Sequence, residues 1–484
     1  MILFMDKTLK IILASLSTIG TIAVIVVLWE LAFKPLLISD KKPISNPTPT
    51  ISPSPTSSPS PSNPSLSGIP LEERFSSGDR RLFTNRNNPS AEKGIAAFQA
   101  RNYEEADQHF SEAVKTAPND PEVQIYLNNA QARKAGNPFT LAAVVPVDQK
   151  PTNAEEMLRG VAQAQTQFNQ QGLNARLLEI VIVNDSNDPN YAQQVAKKIV
   201  NNKDILGVIG HNSSSATAEG LKEYETAEIA MISPTSTSTS LSGNVFFRTL
   251  PSDAKAGQFL ARYAIQNNMS QVAVFYTSTS NYSQSLKDAF VKGFELLGTT
   301  TVIDMSLPNF NPKNTVEALE TQVDGFVLFP DTDNKIINLA LQVADANTRL
   351  SNPKPLLGGD ALYNPATLKL SQGGVTGLVL AVPWFAKNSY PYTNLAAKRW
   401  GGRVSWRTAT SYDATKAFTK ALSENATRNS VLTNLQQTNL SSNETSGEPI
   451  QFLKSGDRNT DPLLVRVISN SNNFAEYDFE IIKD

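Results

Sequence analysis

From Pro138 onward the chain alternates short apolar runs with amphipathic stretches, and this rhythm constrains the fold more than any other feature. The apolar runs are Leu141–Val147, Leu177–Val183, Ile205–Ile209, Ile229–Ile232, Val272–Phe275, Gly325–Phe329, Leu356–Leu357 and Leu378–Val382. Between them lie Glu155–Gln170, Tyr191–Val200, Ser283–Leu297 and Lys335–Asn347, which read as helices. Runs rich in Val, Ile and Phe that lack polar alternation are strands covered on both faces. Strand–helix alternation of this kind predicts a mainly parallel α/β sheet. Residues 138–484 are too many for one comfortable core, so two α/β lobes are expected.

Composition removes several classes of function. The 40% of hydrophobic residues suffices for a packed core. The 43 Lys and Arg against 45 Asp and Glu give a net charge of -2, which argues against a nucleic-acid partner. The absence of Cys excludes disulfides, Cys-ligated zinc, iron–sulfur clusters and thiol nucleophiles. Two histidines, His109 and His211, argue against a multi-histidine metal site. No metal or cofactor is called for.

Residues 1–10 read as a short tail. Ile11–Trp29 then runs nineteen residues without a charge, which at about 1.5 Å per residue nearly spans a bilayer core of about 30 Å. A cleaved signal peptide competes with this reading, but bulky and charged residues stand where a small-residue cleavage site belongs. Residues 11–33 are therefore taken as an uncleaved signal anchor. Lysines flank the span on both sides, so charge does not set its orientation. Residues 34–86 read as a linker, since from Pro43 to Pro64 eighteen of twenty-two residues are Pro, Ser or Thr. Such a run holds the rest of the chain away from a membrane.

Residues 87–137 read as a small helical segment. Gly94, Ala106, Phe110, Ala113 and Pro118 are spaced so that two antiparallel helices approach closely with Phe110 filling the gap. The pattern resembles a tetratricopeptide repeat, although Ser90 stands where an early aromatic is usual. A second repeat begins at Pro121 with Tyr126 and Leu127, but its second helix is missing. One and a half repeats fit either a cap packed on a neighbour or a docking site for a partner.

Polar clusters follow five of the strands. They are Gly210–Thr217, Ser233–Thr237, Thr277–Tyr282, Asp331–Asp333 and Gly358–Asp360. Ligands of open α/β sheets bind at the carboxyl ends of strands, so five such loops point to a pocket. Ser213–Ser215 enter a helix, where hydroxyls and the first N–H groups hold an anion. Asp360 and the pair Asp331 and Asp333 supply negative charge for an ammonium. Together they suit a zwitterion. Plain helix capping is the competing account of the serines and of Asp331 and Asp333.

Over about Phe139–Asp484 these residues resemble the type I periplasmic solute-binding proteins of the leucine/isoleucine/valine-binding branch. The resemblance is carried by Gly160, Asn184–Pro189, Ile209–Gly210, Ile232–Pro234, Phe247–Thr249 with Pro251, Asp253 and Gly257, Ser411–Ala414, and Phe452 with Gly456–Arg458. It implies two hinged lobes of parallel sheet flanked by helices, joined by three crossovers, and no enzyme activity. It also implies that Ser214 and Thr237 hold an α-carboxylate and that the Thr235 carbonyl and Asp360 take the α-ammonium, with Ser215 beside them in the ligand site. Tyr282 matches the pocket tyrosine of the second lobe, and Thr332 replaces a frequent pocket aromatic. The implied ligand is an amino acid or related amide, and the implied partners are an ABC permease or a signalling protein at the inner membrane. The large domain is then periplasmic or otherwise outside the cell. Two rival readings are a scaffold working through the helical segment and a hydrolase using Ser214 or Ser215 with His211 as base.

Overall fold

The computed structural model describes residues 68–371, 373–470 and 476–483. The expected tail, the anchor over 11–33 and the linker up to residue 67 lie outside the described residues. Among the described residues no helix is long and apolar enough to cross a membrane.

The first lobe is built on a six-stranded sheet. Its strands are β1 (Phe75–Ser76), β2 (Phe139–Val145), β3 (Leu178–Asn184), β4 (Ile205–Ile209), β5 (Met231–Ser233) and β6 (Phe246–Arg248), in spatial order β1-β3-β2-β4-β5-β6. β2 to β6 pair in parallel. Every residue of β2 and β4 is buried, which accounts for runs with no polar alternation. The second lobe carries β7 (Gln271–Tyr276), β8 (Thr299–Asp304), β9 (Gly325–Leu328), β10 (Leu356–Gly358) and β11 (Val379–Val382). A short antiparallel pair, β12 (Asn439–Leu440) and β13 (Ile450–Gln451), precedes β14 (Leu463–Ser469) and β15 (Tyr477–Ile481). The second sheet runs β15-β14-β11-β10-β9-β7-β8, with β14 and β15 added antiparallel.

The chain passes between the lobes three times: after β6, after β11 and after β13. Arg458 ties the first and third passages together. Its guanidinium donates to the Thr249 carbonyl at 2.9 Å and to the buried Asp413 carboxylate at 2.7 Å. The second passage leads into the helix Trp406–Ala421, which lies against the helix Pro151–Asn169. Only glycine fits at Gly160, because a Cβ there sits 2.1 Å from the Thr408 carbonyl oxygen.

The helical segment forms three helices, Pro89–Gln99, Tyr103–Thr116 and Pro121–Ala135. Asn88, Asn102 and Asp120 accept from first-turn N–H groups and start each one. Phe110 is fully buried, and a Cβ on Gly94 would meet its ring at 2.6 Å. The third helix packs on Pro151–Asn169 and on β3, and its apolar residues share one core with the first lobe. Asn129 donates to the Ile180 carbonyl at 2.8 Å and accepts from the Ile180 N–H at 2.9 Å, so a side chain finishes the outer edge of β3.

The folded body begins earlier than the expected linker boundary at residue 86. Leu71–Arg74 forms a 3₁₀ turn, and β1 pairs antiparallel with β3, Phe75 opposite Val183. Arg74 is fully buried and donates to Ser186 Oγ at 2.8 Å. Arg81 donates to Asp120 at 2.9 Å. The buried Phe83, the partly buried Phe75 and these two engaged arginines fix a segment that composition alone leaves unassigned.

Candidate ligand site between the lobes

In the first lobe, the loop after β4 enters the helix Ser214–Thr226. Ser213 is its cap, accepting from the Ala216 N–H at 3.2 Å, so the capping account holds for Ser213 and not for its two neighbours. Ser214 Oγ accepts from the Ser238 N–H at 3.4 Å. Thr235 Oγ1 spans the His211 carbonyl at 2.9 Å and the Asn212 carbonyl at 2.8 Å, which fixes the loop after β5 against the loop after β4. Behind them His211 is fully buried. Its Nδ1 lies 2.7 Å from Asp185 Oδ2 and its Nε2 lies 3.1 Å from the Tyr224 hydroxyl. Both ring nitrogens are thus engaged away from Ser214 and Ser215, so the arrangement does not offer the base that a serine hydrolase needs.

In the second lobe, Ser280 caps the helix Asn281–Phe294 and brings Tyr282 into its first turn. The Tyr282 hydroxyl donates to Asp360 Oδ1 at 2.9 Å and accepts from the Ala361 N–H at 3.3 Å. Gly359 permits this approach, since a Cβ there stands 2.4 Å from the tyrosine oxygen. Asp331 and Asp333 serve the turn instead: Asp331 accepts from the Asp333 N–H, and Asp333 accepts from the Lys335 N–H.

The two lobes enclose a chamber of about 40 Å³. Ser214, Ser215 and Thr235 line it from one side and Tyr282, Thr332 and Asp360 from the other. Thr237 is buried behind this wall rather than on it. Its carbonyl accepts from the Asp253 N–H at 2.9 Å, and its hydroxyl has no hydrogen-bond partner. The chamber adjoins an outer groove of about 600 Å³, with Thr332, Ala361 and Arg407 on the walls of both. At the mouth Lys150 reaches across from the first lobe, donating to the Thr332 carbonyl at 3.0 Å and to Asn334 Oδ1 at 3.3 Å.

Burial governs the electrostatics. Burial raises the Asp360 carboxyl above its ordinary range, with the Tyr282 hydrogen bond and the Arg407 charge opposing it. Tyr282 is held well above its usual value by burial and then by the charges of Asp360 and Asp253. Asp253 is fully buried in the layer behind, and burial followed by the charge of Asp360 pushes it up to about 7. The hydroxyls of Thr237 and Ser285 lie beside it and ease the shift, although neither carboxylate oxygen has a well-formed hydrogen bond.

Trp406 and Arg407 also line the chamber, and nothing in the sequence pattern places a cation there. They come from the first turn of a helix almost wholly buried along its length, far in sequence from the five loops. The one available signal is an arginine at the start of a segment otherwise rich in small and apolar residues, where it must face either solvent or a cavity.

A sequence profile described as Periplasmic binding protein matches residues 148–472. The Leu/Ile/Val-binding protein of Escherichia coli (strain K12) is 30% identical over 145 residues, 29% of this chain and 39% of that protein. The leucine-, isoleucine-, valine-, threonine-, and alanine-binding protein of Pseudomonas aeruginosa is 28% identical over 174 residues, 35% of this chain and 46% of that one. The chain thus aligns with less than half the length of these curated relatives. Among solved structures, a leucine-binding protein from Thermotoga maritima matches with a TM-score of 0.62 at 18% identity, covering 71% of this chain and 98% of that one. A solute-binding protein of an ABC transporter from Rhodopseudomonas palustris, in complex with 3,4-dihydroxybenzoic acid, matches with a TM-score of 0.60 at 14% identity, covering 71% and 95%. The fold of two lobes around a chamber agrees with the profile, which spans most of the chain, and the chain belongs to the periplasmic binding protein family.

Proposed function

We propose that this chain is an extracytoplasmic receptor that closes its two lobes on a small amino acid or related amide, for ABC-type uptake or for sensing. One observation carries the reading. Uncharged donors at a helix N-terminus, Ser214 and Ser215, face a carboxylate, Asp360, across one chamber bounded by both lobes. The helix end favours a carboxylate, and Asp360 favours an ammonium. An α-amino acid presents both groups at once, and a sugar or a simple carboxylic acid does not. Thr237, in the layer behind, supports the wall through Asp253. The relatives' names agree with this ligand class. No step of catalysis is assigned to any residue. The uncharged span Ile11–Trp29 and the Pro/Ser/Thr-rich run after it support a single-pass anchor in the inner membrane, with the binding lobes outside the cytoplasm.

Titration calorimetry of the purified full-length protein against a panel of α-amino acids and their amides tests the proposal. Binding is expected, with Ser214→Ala weakening free carboxylates more than the matching amides. Asp360→Asn should weaken free amines more than N-acetylated forms. Charge-assisted hydrogen bonds contribute roughly 1.5–3 kcal/mol, so each loss is about ten- to hundredfold in Kd. Absence of binding at millimolar concentration by a folded protein refutes the receptor reading.

A further inference from the structure

We infer that the ligand carries a second carboxylate, on its side chain, and that Arg407 and Trp406 are the residues that read it; this rests on the amino-acid reading above. Both residues line the chamber and both are buried, Trp406 at 3% and Arg407 at 6% exposure. The indole Nε1 of Trp406 and the Nε of Arg407 are buried donors without a hydrogen-bond partner. Buried donors in folded proteins are almost always paired, so two adjacent orphans in residues that line the chamber point to an acceptor supplied from outside the chain. The guanidinium does donate from Nη1 to Glu156 Oε2, but at 3.3 Å, long for a charged pair. Its carbon lies 4.4 Å from the centroid of the Trp406 ring, so the two groups form one stacked unit.

A branched aliphatic side chain placed here would leave both N–H groups unsatisfied beside a cation. A carboxylate can accept from both donors and adds a second counter-charge beside Glu156. The position fits an extended ligand, because Arg407 stands where the chamber opens into the outer groove. Its charge also acts on Asp360, where it opposes the effect of burial. Thr332, on the walls of both spaces, adds a polar hydroxyl to this side and little apolar surface.

Calorimetry on the purified full-length protein with L-glutamate, L-aspartate, L-glutamine and L-leucine decides the matter. At least one acidic amino acid should bind tenfold or more tightly than leucine. Arg407→Met should weaken that acidic ligand at least tenfold and by a larger factor than leucine, and Trp406→Phe should weaken it several-fold. Should Arg407→Met fail to fold, Arg407→Lys keeps the charge, removes Nε and should still reduce the preference. Leucine binding as tightly as both acids, or Arg407 variants weakening all ligands alike, overturns the inference and leaves the receptor reading standing. Glutamine equalling glutamate overturns the requirement for a carboxylate. Binding of none of the four overturns the inference, and the full panel of amino acids and amides then decides the receptor reading.

Discussion

Asp253 offers the sharpest quantitative test of the layer behind the chamber. It opens the helix Asp253–Gln266, is fully buried, and titrates at about 7 instead of near 3.8. A group whose folded-state value is raised holds its proton more tightly in the native than in the unfolded chain. Between about pH 4 and 7 the native state therefore binds more protons, and stability falls as pH rises through that window. The difference of roughly three pH units corresponds to about 4 kcal/mol at most, at 1.36 kcal/mol per unit. Below pH 4 both states are protonated and this cost vanishes; above pH 7 it is fully present. Asp253→Asn keeps the shape and removes the charge. Urea midpoints for wild type and variant at pH 5, 6, 7 and 8 measure the effect. The variant should approach wild type at the acid end and gain stability progressively, by a few kcal/mol at pH 8. Parallel curves across the range would show that Asp253 does not carry an ionisation cost and would refute the reasoning.

Two further perturbations address the packing. Phe110→Ala removes a fully buried ring wedged against Gly94 and should cost about 3–5 kcal/mol; since the helical segment shares a core with the first lobe, calorimetric melting should show one transition shifted downward, and a separate early transition would show an independent module. Gly160→Ala drives a methyl into the Thr408 carbonyl and should cost about 1–3 kcal/mol, with ligand affinity also falling because the displaced helix carries Trp406 and Arg407; unchanged melting temperature and affinity would contradict the tight helix contact.

The strands legible in the sequence are those buried on both faces. Ile205–Ile209 is apolar throughout because helices cover the sheet on both sides, and its bounds coincide with β4. β8 gives no such signal, because Thr299–Thr301 are exposed or half-exposed at a sheet edge and nothing apolar announces them. β14 and β15 are equally hidden, because strand–helix alternation signals parallel crossovers and is silent about a terminal hairpin. The same logic divides the site. Loops at the carboxyl ends of consecutive parallel strands converge by topology, and Ser214, Thr235, Tyr282 and Asp360 lie on one chamber for that reason. Arg407 arrives by a crossover from a helix whose place on the first lobe depends on Gly160, through a contact with Thr408 that no local pattern encodes.

The helix Pro151–Asn169 connects features that lie far apart in the sequence. At its start, Lys150 reaches the second lobe across the groove mouth. In its middle, Gly160 sets the approach of the helix that carries Arg407. Near its end, Gln165 accepts from Asn128 at 3.1 Å and donates to Asn129 at 2.8 Å, both on the third helix of the N-terminal segment. Arg399 adds a second tie, donating to the Pro118 carbonyl at 2.7 Å. The helical segment is therefore packed into the first lobe. If the lobes hinge apart, the Lys150 contacts to Thr332 and Asn334 are bonds that must break, while the segment stays with the first lobe. A surface that spans the segment and the second lobe would distinguish open from closed, whereas a surface on the segment alone would not. That asymmetry follows from where the buried hydrogen bonds lie, which is on the first lobe.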